Sequence, residues 1–166
     1  MSTADAVIRE AAWLSTSGDG LPGLLSEVGG PWDIINAYWS RTPSYRINGI
    51  YVLRSQLADV RISNQRKRPA HKFRLKLIWI VGSTTTSAGI AETEQLAFDV
   101  AVNLLIHRIR GTLGDKTHGG AFLSVGETPG RNPEIIVDFD PPETTIDRGF
   151  LSGTVVYSAD DLEDVI

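Results

Sequence analysis

The sequence predicts an α+β domain: a small mixed or antiparallel sheet, an N-terminal helix and one long helix packed on one face of it, and an extended basic hairpin. Three observations carry that prediction. From His71 to Val81, Phe73, Leu75, Leu77, Trp79 and Val81 alternate with Arg74, Lys76, Ile78 and Ile80, as a pleated strand with one face in a core requires. From Ala91 to Arg110 the apolar residues recur at helical spacing. Short β-branched and aromatic runs then follow at Phe122 to Val125, Ile135 to Phe139 and Phe150 to Tyr157. At 166 residues the chain reads as a single domain over 1–166, long enough to bury roughly two-thirds of its unfolded surface.

Thr3 is placed to cap a first helix over about Ala4 to Leu14, whose Val7, Ala11 and Leu14 share a face. Ser15 to Gly20 ends it. Leu21 to Val28 reads as a short helical turn, and Gly29-Gly30-Pro31 is a firm break. Trp32 to Trp39 suits a helical face in its spacing, but its aromatic and β-branched content and the following Thr42-Pro43 favour a strand. Gly49 to Arg54 reads as a buried strand, and Asp59 to Ser63 as the start of another. The polar segment Asn64 to Ala70, closed by Pro69, then becomes the tip of a hairpin arm over about 58–81.

Ser83 to Ser87 reads as a linker. In the long helix, Ala97, Val100, Ala101, Leu104 and Leu105 form one stripe, widened by Phe98, Val102, Ile106 and Ile109, so cover on more than one side is expected. Glu92 and Glu94 near its start and His107, Arg108 and Arg110 near its end suit the helix dipole, and Gly111 supplies the stop.

Charge is laid out unevenly. Arg61 to Lys76 holds seven Lys or Arg and no acid, whereas the C-terminal strands over about 134–166 hold nine Asp or Glu and only Arg148, within a net charge of -4. Unlike patches on one subunit favour head-to-tail pairing, which closes into rings or extends into filaments. There are no cysteines, so the fold does not depend on redox compartment. The longest apolar run, Leu75 to Val81, is too short to span a bilayer, and the N-terminus lacks a signal-peptide pattern, so a soluble, unsecreted protein is expected.

No catalytic set is expected. Asp138 and Asp140, with Glu134 nearby, fall on one pleat face and could hold a divalent cation, but Pro141-Pro142 follows at once, and solvated strand-end acids are the better account of them. His118 lies in Gly114-Asp115-Lys116-Thr117-His118-Gly119-Gly120, which lacks P-loop spacing and reads as a glycine-rich connection. His71 and His107 have no zinc-ligand spacing, and no serine stands in a Gly-x-Ser-x-Gly elbow. No metal and no cofactor are expected. The basic arm could bind nucleic acid, but Phe73 and Trp79 share the phase of Leu75 and Leu77, which makes them core residues rather than a stacking platform.

Several segments in order resemble the tail terminator proteins of long-tailed bacteriophages, particularly those of actinobacteria. They are Pro31-Trp32-Asp33-Ile34-Ile35 with Tyr38-Trp39, Gly49-Ile50-Tyr51-Val52, the Gln65 to Pro69 tip with Phe73-Arg74-Leu75 and Trp79, and Ala91-Glu92-Thr93-Glu94-Gln95 opening the long helix. Ile109-Arg110-Gly111, the Gly114 to Gly120 loop and the terminal Val155 to Asp161 strand complete the likeness.

The resemblance implies a small sheet with helices on one side and a structural virion protein rather than an enzyme. Its ring, usually of six subunits, would dock on the tail tube protein, end tube polymerisation and meet a head-completion or stopper protein. It implies assembly in the host cytoplasm and residence in the tail or neck of the virion. It supplies no catalytic residues. From the charge pattern, Arg61, Arg66, Lys67, Arg68, Lys72 and Arg74 are expected at a subunit or partner interface, and Glu134, Asp138, Asp140, Glu143 and Asp147 at a channel or acidic partner face past which the genome slides without specific binding. The other readings are a stopper or tail-completion protein of the same neck, and a nucleic-acid-binding module.

Overall fold

The computed structural model describes residues 3–17, 20–21, 23–81, 88–111, 116–126 and 135–164. The chain is α+β. Helices α1 (Ala6–Leu14), α2 (Ala88–Arg110) and the short α3 (Pro142–Thr145) accompany strands β1 (Ile34–Ala37), β2 (Gly49–Arg61), β3 (Arg66–Ile80), β4 (Ser124–Val125), β5 (Ile136–Phe139), β6 (Phe150–Asp160) and β7 (Glu163–Asp164). The strands form one mixed sheet in the order β1-β2-β3-β6, with β4 and β5 both on the far side of β6 and β7 beside the start of β3.

The period-2 pattern of β3 sorts the two faces. His71, Phe73, Leu75, Leu77 and Trp79 point into a core shared with Ile50 and Val52 of β2, Val155 and Tyr157 of β6, and the inner sides of α1 and α2. Full burial of an aliphatic such as Leu75 or Leu77 contributes about 1.5 to 3 kcal/mol. Lys72, Arg74, Lys76, Ile78 and Ile80 face the other way. At one end of that outer face Tyr51, Ile78 and Phe150 are nevertheless buried, because the connection from β1 to β2 crosses it, with Trp39 on Tyr51 at 4.8 Å and Tyr45 on Phe150 at 4.8 Å. β1 and β2 are parallel, so their connection has to run back along the sheet. Tyr38 starts that return with a positive φ of 68°.

The Gly29-Gly30-Pro31 break is a tight loop that seats Trp32. Trp32 N donates to Leu24 O at 2.9 Å and Ser26 N to Trp32 O at 2.7 Å, and the buried indole meets Trp79 edge-on at 5.3 Å. Any Cβ on Gly30 would lie 2.1 Å from the Leu24 carbonyl oxygen, so only glycine fits there.

Several sequence expectations are corrected. The first helix starts as a 3-10 turn over Thr3–Asp5, with no side-chain cap at its junction with α1. Among the described residues of the span from Leu21 to Val28, the helical part is the 3-10 turn Ser26–Val28. The runs at Gly49 and Asp59 are one strand broken by a bulge between Arg54 and Gln56. The hairpin turns at residues 62–65, and Arg66 to Ala70 belong to β3 rather than to the tip. The inward side of α2 is Phe98, Ala101, Val102, Leu105 and Ile109, whereas Leu96 and Val100 stay 60% and 61% exposed, so among the described residues nothing gives that second side the cover expected for it. The expected linker over Ser83 to Ser87 lies outside the described residues.

Candidate functional site

The basic residues divide into two groups according to where the strands place them. Arg61 at the end of β2 and Arg66 at the start of β3 are exposed on the arm. Lys67 lies across the arm from Asp59 at 3.6 Å, and Arg68 donates to the buried Asp160 of β6 at 3.1 Å. Lys72 and Arg74 are exposed on the outer face, in register with Gln56 and Leu53 of β2 and Ser158 and Val156 of β6. Lys76 donates to Asp140 at 3.1 Å.

The acids are placed as unevenly. Asp138 is exposed on β5, Glu143 in α3 and Asp147 in the turn after it, and Glu134 lies outside the described residues. Asp140 accepts from Ser152 Oγ at 2.5 Å as well as from Lys76; these bonds, with the nearby charge of Arg74, hold its carboxyl below the usual range despite partial burial. Among the described residues no group of three or more His, Asp or Glu is placed to hold a metal ion.

This geometry revises the charge argument. Because β3 and β6 are hydrogen-bonded neighbours, Arg68 meets Asp160 inside one subunit, and Lys76 meets Asp140 just beyond the β5 strand on the same face. Asp161 is likewise committed internally: it accepts from Arg9 at 2.6 Å and lies 3.4 Å from His71. Burial alone would raise the Asp161 pKa, but the bonds from His71 and Arg9 outweigh it and hold it low. Arg54 Nη1, which can only donate, lies 3.4 Å from His71 Nδ1, so His71 carries its proton on Nε2 toward Asp161. The Arg9 guanidinium is desolvated, yet Asp161 and Asp5 raise its pKa overall, and it lies over Phe122 at 4.6 Å.

A second buried cluster was not legible as such in the sequence. Glu10 of α1 is fully buried, with Oε2 2.9 Å from His118 Nδ1 and Oε1 accepting from Tyr157 OH at 2.8 Å. His118 Nε2 lies 2.7 Å from the Ile109 carbonyl, which can only accept, so Nε2 carries a proton and a further proton lies between Nδ1 and Glu10. Burial, then the Glu10 carboxylate, pushes the Tyr157 phenol well above its ordinary value. Trp13 stacks on His118 at 3.6 Å, and Arg108 covers the other indole face at 4.1 Å while donating to Trp13 O at 3.0 Å. His118 holds a positive φ of 52°, fixed by these contacts. The signal for Glu10 was an acid on the Val7, Ala11 and Leu14 stripe, where a charge must find a buried partner.

Acid, imidazole and phenol together resemble acid-base machinery in composition, but all three are enclosed and bonded to one another. The large groove on the molecule has none of them in its lining. Their arrangement fastens α1, the end of α2 and β6 together.

That groove, about 1050 Å³ and open to solvent, runs along α2 between Leu96, Val100 and Leu104 on one side and Gly30, Pro31 and Trp79 on the other. The groove, the arm and the outer face are the surfaces on which exposed apolar and cationic side chains gather among the described residues. No protein-family model matches the chain, and no curated protein matches it. No helix among the described residues is long and apolar enough to cross a membrane.

Proposed function

We propose that the chain is a structural subunit that assembles with copies of itself into a ring at the head-proximal end of a bacteriophage tail tube, ends tube growth and joins the tail to a head-completion protein. The observation that carries this reading is the β2–β3 arm. Residues 55–59 and 61–66 are exposed on a hairpin whose far end, from Asp59 and Pro69 to the turn, runs past the end of β6. An element ordered in this way, without burial in its own chain, is suited to burial against another.

The order of segments that resembles tail terminators supplies the particular assembly. Internal pairing of Arg68 and Lys76 shifts the work of ring closure from net charge to the arm and the apolar groove. Asp138, Glu143 and Asp147 remain available to repel DNA phosphates at a channel, and the genome slides past them ungripped.

The test is polymerisation of the tube protein with and without this chain. Tubes of fixed length, each bearing the protein at one end, support the reading. Tubes that lengthen equally in its presence overturn it. A stopper or tail-completion protein of the same neck would bind the portal side instead and leave tube length unchanged.

One observation favours a nucleic-acid reading as runner-up. Tyr38, Trp39 and Tyr45 are exposed beside Arg41 and Arg46 in the loop that crosses the outer face, which also carries Lys72 and Arg74. Exposed aromatics among cations stack and hold single strands. Salt-dependent, low-micromolar binding of single-stranded DNA at physiological salt would favour this reading over the first.

A further inference from the structure

We propose that the turn of the β2–β3 arm of one copy seats Ile62 in the groove along α2 of the next copy, a head-to-tail contact that rests on the ring reading above and names the surfaces that close it. Both halves of the contact are present on each subunit. Ile62 is 57% exposed at the tip of the arm, and the turn that presents it is held by its own hydrogen bonds. Ile62 N and Ser63 N each donate to Arg66 O at 3.0 Å, and Ser63 Oγ accepts from Gln65 N at 3.2 Å and Arg66 N at 3.1 Å. The tip is therefore ordered before it binds, which lowers the cost of association.

The receiving groove is apolar on both walls. Leu96 and Val100 stand exposed one turn apart on α2, with Leu104 and Trp79 deeper, so a single β-branched side chain has an apolar seat there. Charge sets the direction. Arg61 and Arg66 flank Ile62, while the exposed Glu92 stands one turn before Leu96 and two before Val100 on the same side of α2. The other end of the groove carries Arg110, which repels the tip, so the arm engages the N-terminal half of the helix. A knob at one place on the subunit and its socket at another make the contact heterologous, the kind that generates a ring rather than a closed pair.

Because the chain has no cysteine, disulfide trapping tests this directly. Under mild oxidation, Ile62→Cys/Val100→Cys is expected to give a ladder of covalent dimers, trimers and higher species up to the closed ring, with each single variant staying essentially monomeric on a non-reducing gel. As a second reading, Ile62→Asp is expected to weaken self-association at least tenfold by sedimentation while its melting curve matches that of the parent. If Val100→Cys alone dimerises as readily as the double variant, α2 pairs with α2 across a twofold axis and the proposal is wrong. If particles of ring size form but the double variant does not cross-link, the ring closes elsewhere: this contact fails and the ring reading stands. If the parent chain does not oligomerise and the double variant does not cross-link, both fail.

Discussion

Glu10 and His118, on α1 and on the loop after α2, hold one proton between Oε2 and Nδ1 across 2.9 Å in a site closed to solvent. Whichever atom carries that proton, the pair is neutral as a whole, so the enclosure does not have to hold an uncompensated charge.

Removing one side of this pair leaves the other without its partner. Glu10→Ala is expected to destabilise the fold by about 3 to 5 kcal/mol, the range for breaking a buried pair, since His118 loses its hydrogen-bond partner and the Tyr157 hydroxyl its acceptor. Tyr157→Phe removes one donor and is expected to cost about 1 to 3 kcal/mol. Chemical denaturation of the three proteins checks this, and a Glu10→Ala loss below about 1 kcal/mol would contradict the structural role.

Asp161 gives stability a dependence on acid. Its native carboxyl titrates below the usual range because of His71 and Arg9, whereas an unfolded aspartate titrates near about 3.9. The stabilisation is present above the unfolded value and is lost as pH falls through the lower native one. The difference in melting temperature between the parent and Asp161→Asn is therefore expected to be full at neutral pH and to shrink below about pH 4. A difference that stays constant into strong acid would contradict the pairing.

Arg68 and Arg74 are six positions apart on β3, yet reversing them is expected to have different effects. Arg68→Glu would set a carboxylate against the buried Asp160 and lower stability by about 1 to 3 kcal/mol. Arg74→Glu, on the exposed face, is expected to shift stability by no more than about 0.5 kcal/mol. Thermal melts decide this, and equal losses would mean that the two side chains share one environment.

How much of this was visible in the sequence depends on what each pattern encodes. The alternation from Phe73 to Trp79 is a local consequence of pleating, and it named the core face of β3 correctly. The long helix was legible but not its orientation: with apolar residues on most sides, the stripe read from the sequence joined Ala97 and Val100, which stay exposed, to Ala101 and Leu105, which pack inward with Phe98. Charge was misread for a topological reason. Arg68 and Asp160 are 92 positions apart along the chain, and only the pairing of β3 with β6 makes them neighbours. The exposure of Ile62 likewise depends on the turn falling at residues 62–65, which the polar run from Asn64 to Ala70 displaced by several positions.

Assembly is the central claim, and the mass of the purified chain in solution tests it most directly. Light scattering across a concentration series up to that reached in an assembling particle is expected to converge on one closed multiple of the 18.1 kDa subunit, with electron microscopy of that species showing rings. A chain that stays at the monomer mass throughout the series, with no rings in the images, would contradict the account.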